Sequence, residues 1–230
     1  MGTLSFVPGD IPAARKGPSY FEYDLYRAQR YGNIFEKVWH NHRIKCLLDL
    51  LERSSIPKDA KIMELGCNTG PVIIALYNNK YFNVFGIDIS RENVKKAKSY
   101  CAEQGFTNIP LCVADGSSAP FRSGEFDVIL LVDLLEHAFG IKKIIKEAGR
   151  ILRPGGKIVV AVPHRRHPVS NPRIKKLLSG RDDIDALPDR FLTRGEVKDL
   201  FAGFCLEHFT FAAFWVWFCF IFRKLDDKER

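Results

Sequence analysis

A glycine-rich turn, Glu64-Leu65-Gly66-Cys67-Asn68-Thr69-Gly70, stands between an aliphatic segment and a helical pattern. Glycines there let the backbone approach a ligand closely, and the N-terminus of the following helix favours negative charge. Nicotinamide enzymes use the same device, and so do plain tight turns, so the turn alone assigns nothing. The next strand-like segment closes on Gly86-Ile87-Asp88, placing a carboxylate beside the turn where it can accept both hydroxyls of a ribose. A third closes on Ala114-Asp115-Gly116 and offers a second acid for an adenine amino group. Three consecutive segment ends decorated in this way point to an adenosine site. A dinucleotide fits less well: the turn lacks the third glycine of GxGxxG, and an acid at Asp115 has no standard role there.

The elements that must carry these groups alternate in type. Lys61 to Leu65, Asn83 to Ile89, Ile109 to Ala114, Phe126 to Val132 and Lys157 to Val162 read as strands. Pro71 to Asn78, Arg91 to Gln104 and Ile141 to Leu152 read as helices between them. The alternation predicts right-handed βαβ crossovers and a doubly wound parallel sheet. Near-continuous aliphatic runs such as Val128 to Val132 and Ile158 to Val162 suit strands covered on both faces. Arg153-Pro154-Gly155-Gly156 reads as a sharp stop between helix and strand, and Thr193-Arg194-Gly195-Glu196 as a capping box. Residues 1 to 18, with three prolines, read as a loose arm. From Tyr20 to Leu51 the pattern is helical, with Phe35, Val38, Trp39, His42, Cys46, Leu47 and Leu50 on one face. The predicted organisation is an arm and helical cap over 1–52 and a single catalytic-type domain over 53–230.

The C-terminal run Phe209 to Phe222 is the most apolar stretch. It falls short of the roughly 20 residues a helix needs to cross a bilayer. It reads instead as two antiparallel strands, Cys205 to Phe211 and Trp215 to Phe222, the second inserted into the sheet, while its aromatics leave peripheral membrane contact open. The formal net charge of +8 keeps anionic partners open without choosing one. Six scattered cysteines with no CxxC pair argue against zinc ribbons and disulfide scaffolds and for a reducing compartment. With no secretory pattern at the N-terminus, the expected location is cytoplasmic.

Taken together, Glu64 to Gly70 (ELGCNTG), Gly86 to Ser90 (GIDIS), Ala114 to Asp127 (ADGSSAPFRSGEFD), Leu135 to His137 (LEH) and Leu152 to Gly156 (LRPGG) resemble the class I S-adenosylmethionine (SAM)-dependent methyltransferases. The resemblance is to their small-molecule, type 11-like branch and covers roughly residues 60 to 222. It implies an α/β Rossmann-like sheet of seven strands, order 3-2-1-4-5-7-6, with strand 7 antiparallel. It also implies SAM as cofactor: Gly66 and Gly70 near the methionine part, Asp88 on the ribose, Asp115 and Gly116 at the adenine, Glu64 holding the motif or the amino group, and Cys67, Asn68, Ile89 and Val132 among the cofactor-binding residues. Asn68 departs from the usual central glycine, a tolerable change because Asn enters the left-handed region more readily than other side chains.

Methyl transfer from a sulfonium is an in-line displacement, so the protein mainly aligns and desolvates the reactants. A base is needed when the acceptor keeps its proton, and His137 is the leading candidate. His164 and His167 have a metal-like spacing but no further ligand cluster, so no metal is expected. An insertion from His164 to Leu192 carries Arg165, Arg166, Arg173, Lys175, Lys176 and Arg181 with no acid before Asp182, which reads either as a solvated basic loop or as a site for an anionic acceptor or an anionic membrane surface. Tyr23, His164, Arg165 and Arg166 are the expected acceptor contacts, and the acceptor is expected to be a small, lipid-like or quinone-like molecule. Nucleic acid is disfavoured, because Val132-Asp133-Leu134-Leu135 stands where base methylases carry an Asn/Asp-Pro-Pro-Tyr/Phe tetrad or a Pro-Cys nucleophile.

Overall fold

The computed structural model describes residues 34–138, 140–163, 192–212 and 217–226. Within them, α1 (Ile34–Arg53) precedes β1 (Ile62–Leu65), α2 (Pro71–Asn78), β2 (Val84–Asp88), α3 (Arg91–Glu103), β3 (Leu111–Val113), β4 (Phe126–Val132), α4 (Ile141–Ile151), β5 (Leu152–Pro163), α5 (Arg194–Leu200), β6 (Phe204–Ala212) and β7 (Trp217–Lys224). The strands form one sheet of order β3-β2-β1-β4-β5-β7-β6. Strands β1 to β5 run parallel, and β7 is antiparallel to both β5 and β6. This is the doubly wound α/β fold that the resemblance implies.

The order follows from which strands can tolerate cover on both faces. Every residue of β1 and β2 is buried, and so is β7 from Phe218 to Phe222. One apolar layer joins Leu47, Leu50 and Leu51 of α1 to α2, α3 and the sheet face bearing Ile62, Val84, Val128 and Ile221. The other joins α4 and α5 to Met63, Ile129, Val160, Phe220 and Phe222. The C-terminal run is thus a hairpin with its second strand inside the sheet. Its Trp215 lies outside the described residues.

Three local features depart from the sequence reading. First, the buried face of α1 is turned toward Arg43, Ile44, Leu47, Leu50 and Leu51, while His42 and Cys46 are half-buried. Leu and Ile fill the layer over the sheet, and an arginine in their row was not anticipated. Second, Arg153-Pro154-Gly155-Gly156 is an excursion inside β5. Leu152 pairs with Phe126, and pairing resumes at Val128 with Lys157. Gly155 takes φ 66°, and a Cβ on Gly156 would lie 2.9 Å from the carbonyl oxygens of Arg153 and Asp127. Third, β3 shrinks to three residues.

Two devices hold the cleft loops. Ser90 caps α3 by accepting from Asn93 N–H at 3.2 Å, and Thr193 with Glu196 completes the capping box on α5. Arg150, on the last turn of α4, donates to the carbonyls of Ala119 and Phe121 while paired with Glu147. Glu147 in turn accepts from Ala119 N–H at 2.8 Å. The loop that follows Asp115 is thereby pinned to α4.

Candidate active site

The C-terminal ends of β1, β2, β3 and β4 lie side by side, and the groups singled out above stand on them. Gly66 and Cys67 both donate their N–H to the Ile87 carbonyl, at 2.8 and 2.9 Å, which locks the turn after β1 against the end of β2. Gly66 has φ +76° and Gly70 φ +84°, both in the left-handed region. A Cβ on Gly66 would lie 2.8 Å from Leu134 Cδ1, so a larger residue there would push that side chain aside besides straining the backbone. Asn68 sits at φ 47°, the left-handed geometry that its replacement of a glycine demanded.

Asp88 braces this turn. Its Oδ2 accepts from Asn68 N–H at 2.9 Å, and its Oδ1 accepts from Ser90 N–H at 2.9 Å and Asn93 Nδ2 at 3.3 Å. Burial raises its pKa despite those three donors. Ile89, the next residue, leaves 40% of its surface exposed at the same edge, an apolar side chain beside the Asp88 carboxylate. Asp115 is exposed, with Oδ1 accepting from Ser117 N–H at 2.7 Å in a tight turn. Gly116 follows it over the Leu65 side chain. Val132 ends β4 nearly buried. Cys67 contributes shape only: burial pushes its thiol well up, so it is an inert core side chain.

Glu64 is the unusual member. It is 3% exposed and carries an Oε2 with no hydrogen-bond partner among the described residues. Burial pushes its carboxyl up to about 8, against the pull of Arg43 and with a push from Asp88. Glu136, in the turn after β4, is likewise buried and raised by burial to about 8, again opposed by Arg43. Sequence reasoning singled out neither Glu136 nor Arg43. Glu136 stood inside the LEH motif, but Arg43 gave no signal because an arginine on a helix is ordinarily a solvated one. His137 is half-buried in the same turn, its N–H on the Leu134 carbonyl. Tyr23, His164, Arg165 and Arg166 lie outside the described residues.

The two raised carboxyls make a pH prediction. Their folded-state values lie above the ordinary value of 4.5, so the folded chain holds more protons than the unfolded one between those limits. Their contribution to stability is therefore full below about 4.5 and is lost as pH rises through about 8. Thermal melts of the ligand-free protein should fall over that range, and a Glu64→Gln, Glu136→Gln double variant should flatten the fall.

A left-handed glycine-rich turn, a braced carboxylate, an exposed isoleucine and a buried acid with one unpartnered oxygen along one edge fit a small cofactor with a ribose and a cationic group. Comparison with known proteins agrees. Residues 63–160 match the methyltransferase domain family. That match covers less than half of the chain, and the order of the sheet is the one that the resemblance to class I SAM-dependent methyltransferases implies. That family's cofactor is SAM. The chain is 34% identical over 139 residues to an uncharacterized protein of Methanocaldococcus jannaschii, covering 59% of this chain and 60% of that one. It is 27% identical over 146 residues to a demethylmenaquinone methyltransferase of Anoxybacillus flavithermus, covering 58% and 62%. Among solved structures, a protein from Pyrococcus horikoshii shares the fold with a TM-score of 0.70 at 21% identity, over 90% of this chain and 100% of that one. The chain thus spans less than two thirds of the length of these sequence relatives.

Proposed function

We propose that the protein transfers a methyl group from SAM to a small, apolar acceptor of lipid or quinone type. The observation that carries the cofactor half is the edge built from Gly66, Asn68, Asp88, Ile89 and Asp115. Bound there, SAM supplies an electrophilic methyl on a sulfonium. Asp88 has lone-pair capacity beyond its three donors for a ribose hydroxyl, Ile89 offers an apolar face to a base, and Asp115 an acceptor to an amino group. Glu64 offers a buried carboxylate oxygen to a cationic group, and that charge would draw its proton off.

The acceptor half rests on the sheet edge beyond β4. The antiparallel β6 and β7 bring Ala212 and Trp217 beside Pro163, the end of β5, so Phe211, 42% exposed, stands on the same edge. An aromatic surface there suits an apolar acceptor, as does the similarity to a demethylmenaquinone methyltransferase. His137 takes the acceptor proton where the acceptor is a hydroxyl or an activated carbon. Tyr23, His164, Arg165 and Arg166 complete the reading as contacts to the acceptor's polar end. Among the described residues no helix is long and apolar enough to cross a membrane.

Calorimetry with SAM, S-adenosylhomocysteine and NAD tests the cofactor. Binding of the first two is expected, and binding of NAD alone, or of none, would overturn the assignment. Incubating the protein and methyl-labelled SAM with a lipid and quinone extract tests the acceptor: label should enter the organic-soluble fraction, and label confined to polar metabolites would reject an apolar acceptor.

A further inference from the structure

Arg43 is 3% exposed, on the face of α1 that packs over the sheet. Its guanidinium forms an ion pair with Asp133 and lies 5.3 Å over the Trp217 ring. Trp217 Nε1 donates to the other oxygen of Asp133 at 2.6 Å. Asp133 is the first residue after β4 and is held at φ 49°, in the left-handed region that side chains other than glycine, Asn and Asp rarely enter. Its own N–H reaches the Ala161 carbonyl of β5 at 2.9 Å. The next residue, Leu134, is the side chain that fills the space over Gly66. Three elements distant in sequence, α1, the β4 turn and the start of β7, therefore meet at one carboxylate, one residue from the contact that shapes the cofactor turn.

We infer that Arg43 is a positioning residue: acting through Asp133 and Trp217, it clamps the N-terminal helix and the β7 hairpin to the turn after β4 and so holds Leu134 against the glycine turn. The inference rests on the reading of this cleft as the SAM site. It assigns the helix before the methyltransferase domain a part in forming that site. The buried guanidinium and the indole N–H take one carboxylate oxygen each and so fix Asp133 in its left-handed conformation.

The same guanidinium sets the charge around it. Near Glu64 stand Arg43, Asp88 of β2, Cys67 and Cys101 of α3; near Glu136 stand Arg43 and, in its own turn, Asp133 and His137. Arg43 is the cation that pulls both raised carboxyls down. Removing it should let both keep their protons to higher pH, whereas removing the indole donor should not.

The test compares Arg43→Met, Arg43→Lys, Asp133→Asn and Trp217→Phe by amide hydrogen exchange, by melting temperature across pH, and by S-adenosylhomocysteine calorimetry. Exchange at the Asp133 and His137 amides should quicken by about tenfold in Arg43→Met and Trp217→Phe and be partly restored in Arg43→Lys. Exchange at the Val128 amide, at the far end of β4, should be unchanged. The upper end of the descending limb of the melting profile should move to higher pH in Arg43→Met and stay in place in Trp217→Phe. Affinity for S-adenosylhomocysteine should weaken by about tenfold in both. If exchange at Asp133 and His137 rises no more than at Val128, or the pH limb moves equally in both variants, the clamp is overturned. Should Arg43→Met fail to fold, Asp133→Asn, which keeps an oxygen for the indole and removes the ion pair, replaces it in the same exchange comparison, with the same two outcomes. A wild-type protein that binds no S-adenosylhomocysteine while the exchange pattern holds would sink the cofactor reading and leave the clamp standing.

Discussion

Phe218→Asp and Phe220→Asp should each abolish folding. Phe218 is 4% exposed and Phe220 0%, on β7, which is paired on both sides by β5 and β6, with Phe220 stacked at 5.6 Å on Phe222 and Phe222 at 4.4 Å on Phe201. Losing a buried phenyl ring costs about 3–5 kcal/mol before any charge is considered. An unpaired carboxylate on the same spot adds several more, which exhausts the roughly 5–15 kcal/mol that holds a domain of this size. Circular dichroism should show no cooperative melt for either variant. A variant that stays folded but no longer sediments with vesicles would mean that these aromatics face a membrane. Trp217 behaves differently, because it is half-buried and its indole works as a donor to Asp133.

Asp88→Ala should cost both cofactor affinity and stability. The carboxylate accepts from two backbone N–H groups and the Asn93 amide, so alanine strands donors in a nearly buried turn at about 1–3 kcal/mol. The affinity for SAM should fall by a similar amount, about 1–3 kcal/mol, for the lost charge-assisted contact. Asp88→Asn separates the two effects, since its single amide oxygen can still receive one N–H. Calorimetry and melts on the pair would read them apart: a melt lowered with SAM affinity unchanged would make Asp88 a brace for the turn and move the ribose contact elsewhere.

Much of this protein was legible in its residues because the devices involved are local. Alternating aliphatic strands and amphipathic helices dictate a parallel sheet, and α2 and β4 fall on the residues expected of them. The left-handed turn at Gly66, Asn68 and Gly70 follows from residue type alone. A carboxylate at the end of a strand is placed by the strand. What only the tertiary structure decided depends on groups remote in sequence. The Arg153 to Gly156 excursion reads as a turn until Lys157 is seen opposite Val128. Asp88 reads as a ligand contact, and only the fold shows that it also holds three internal donors. Arg43 reads as surface charge until Asp133 and Trp217, contributed by the sheet, close around it. Burial of a charge depends on partners brought together by folding, and no spacing within α1 records them.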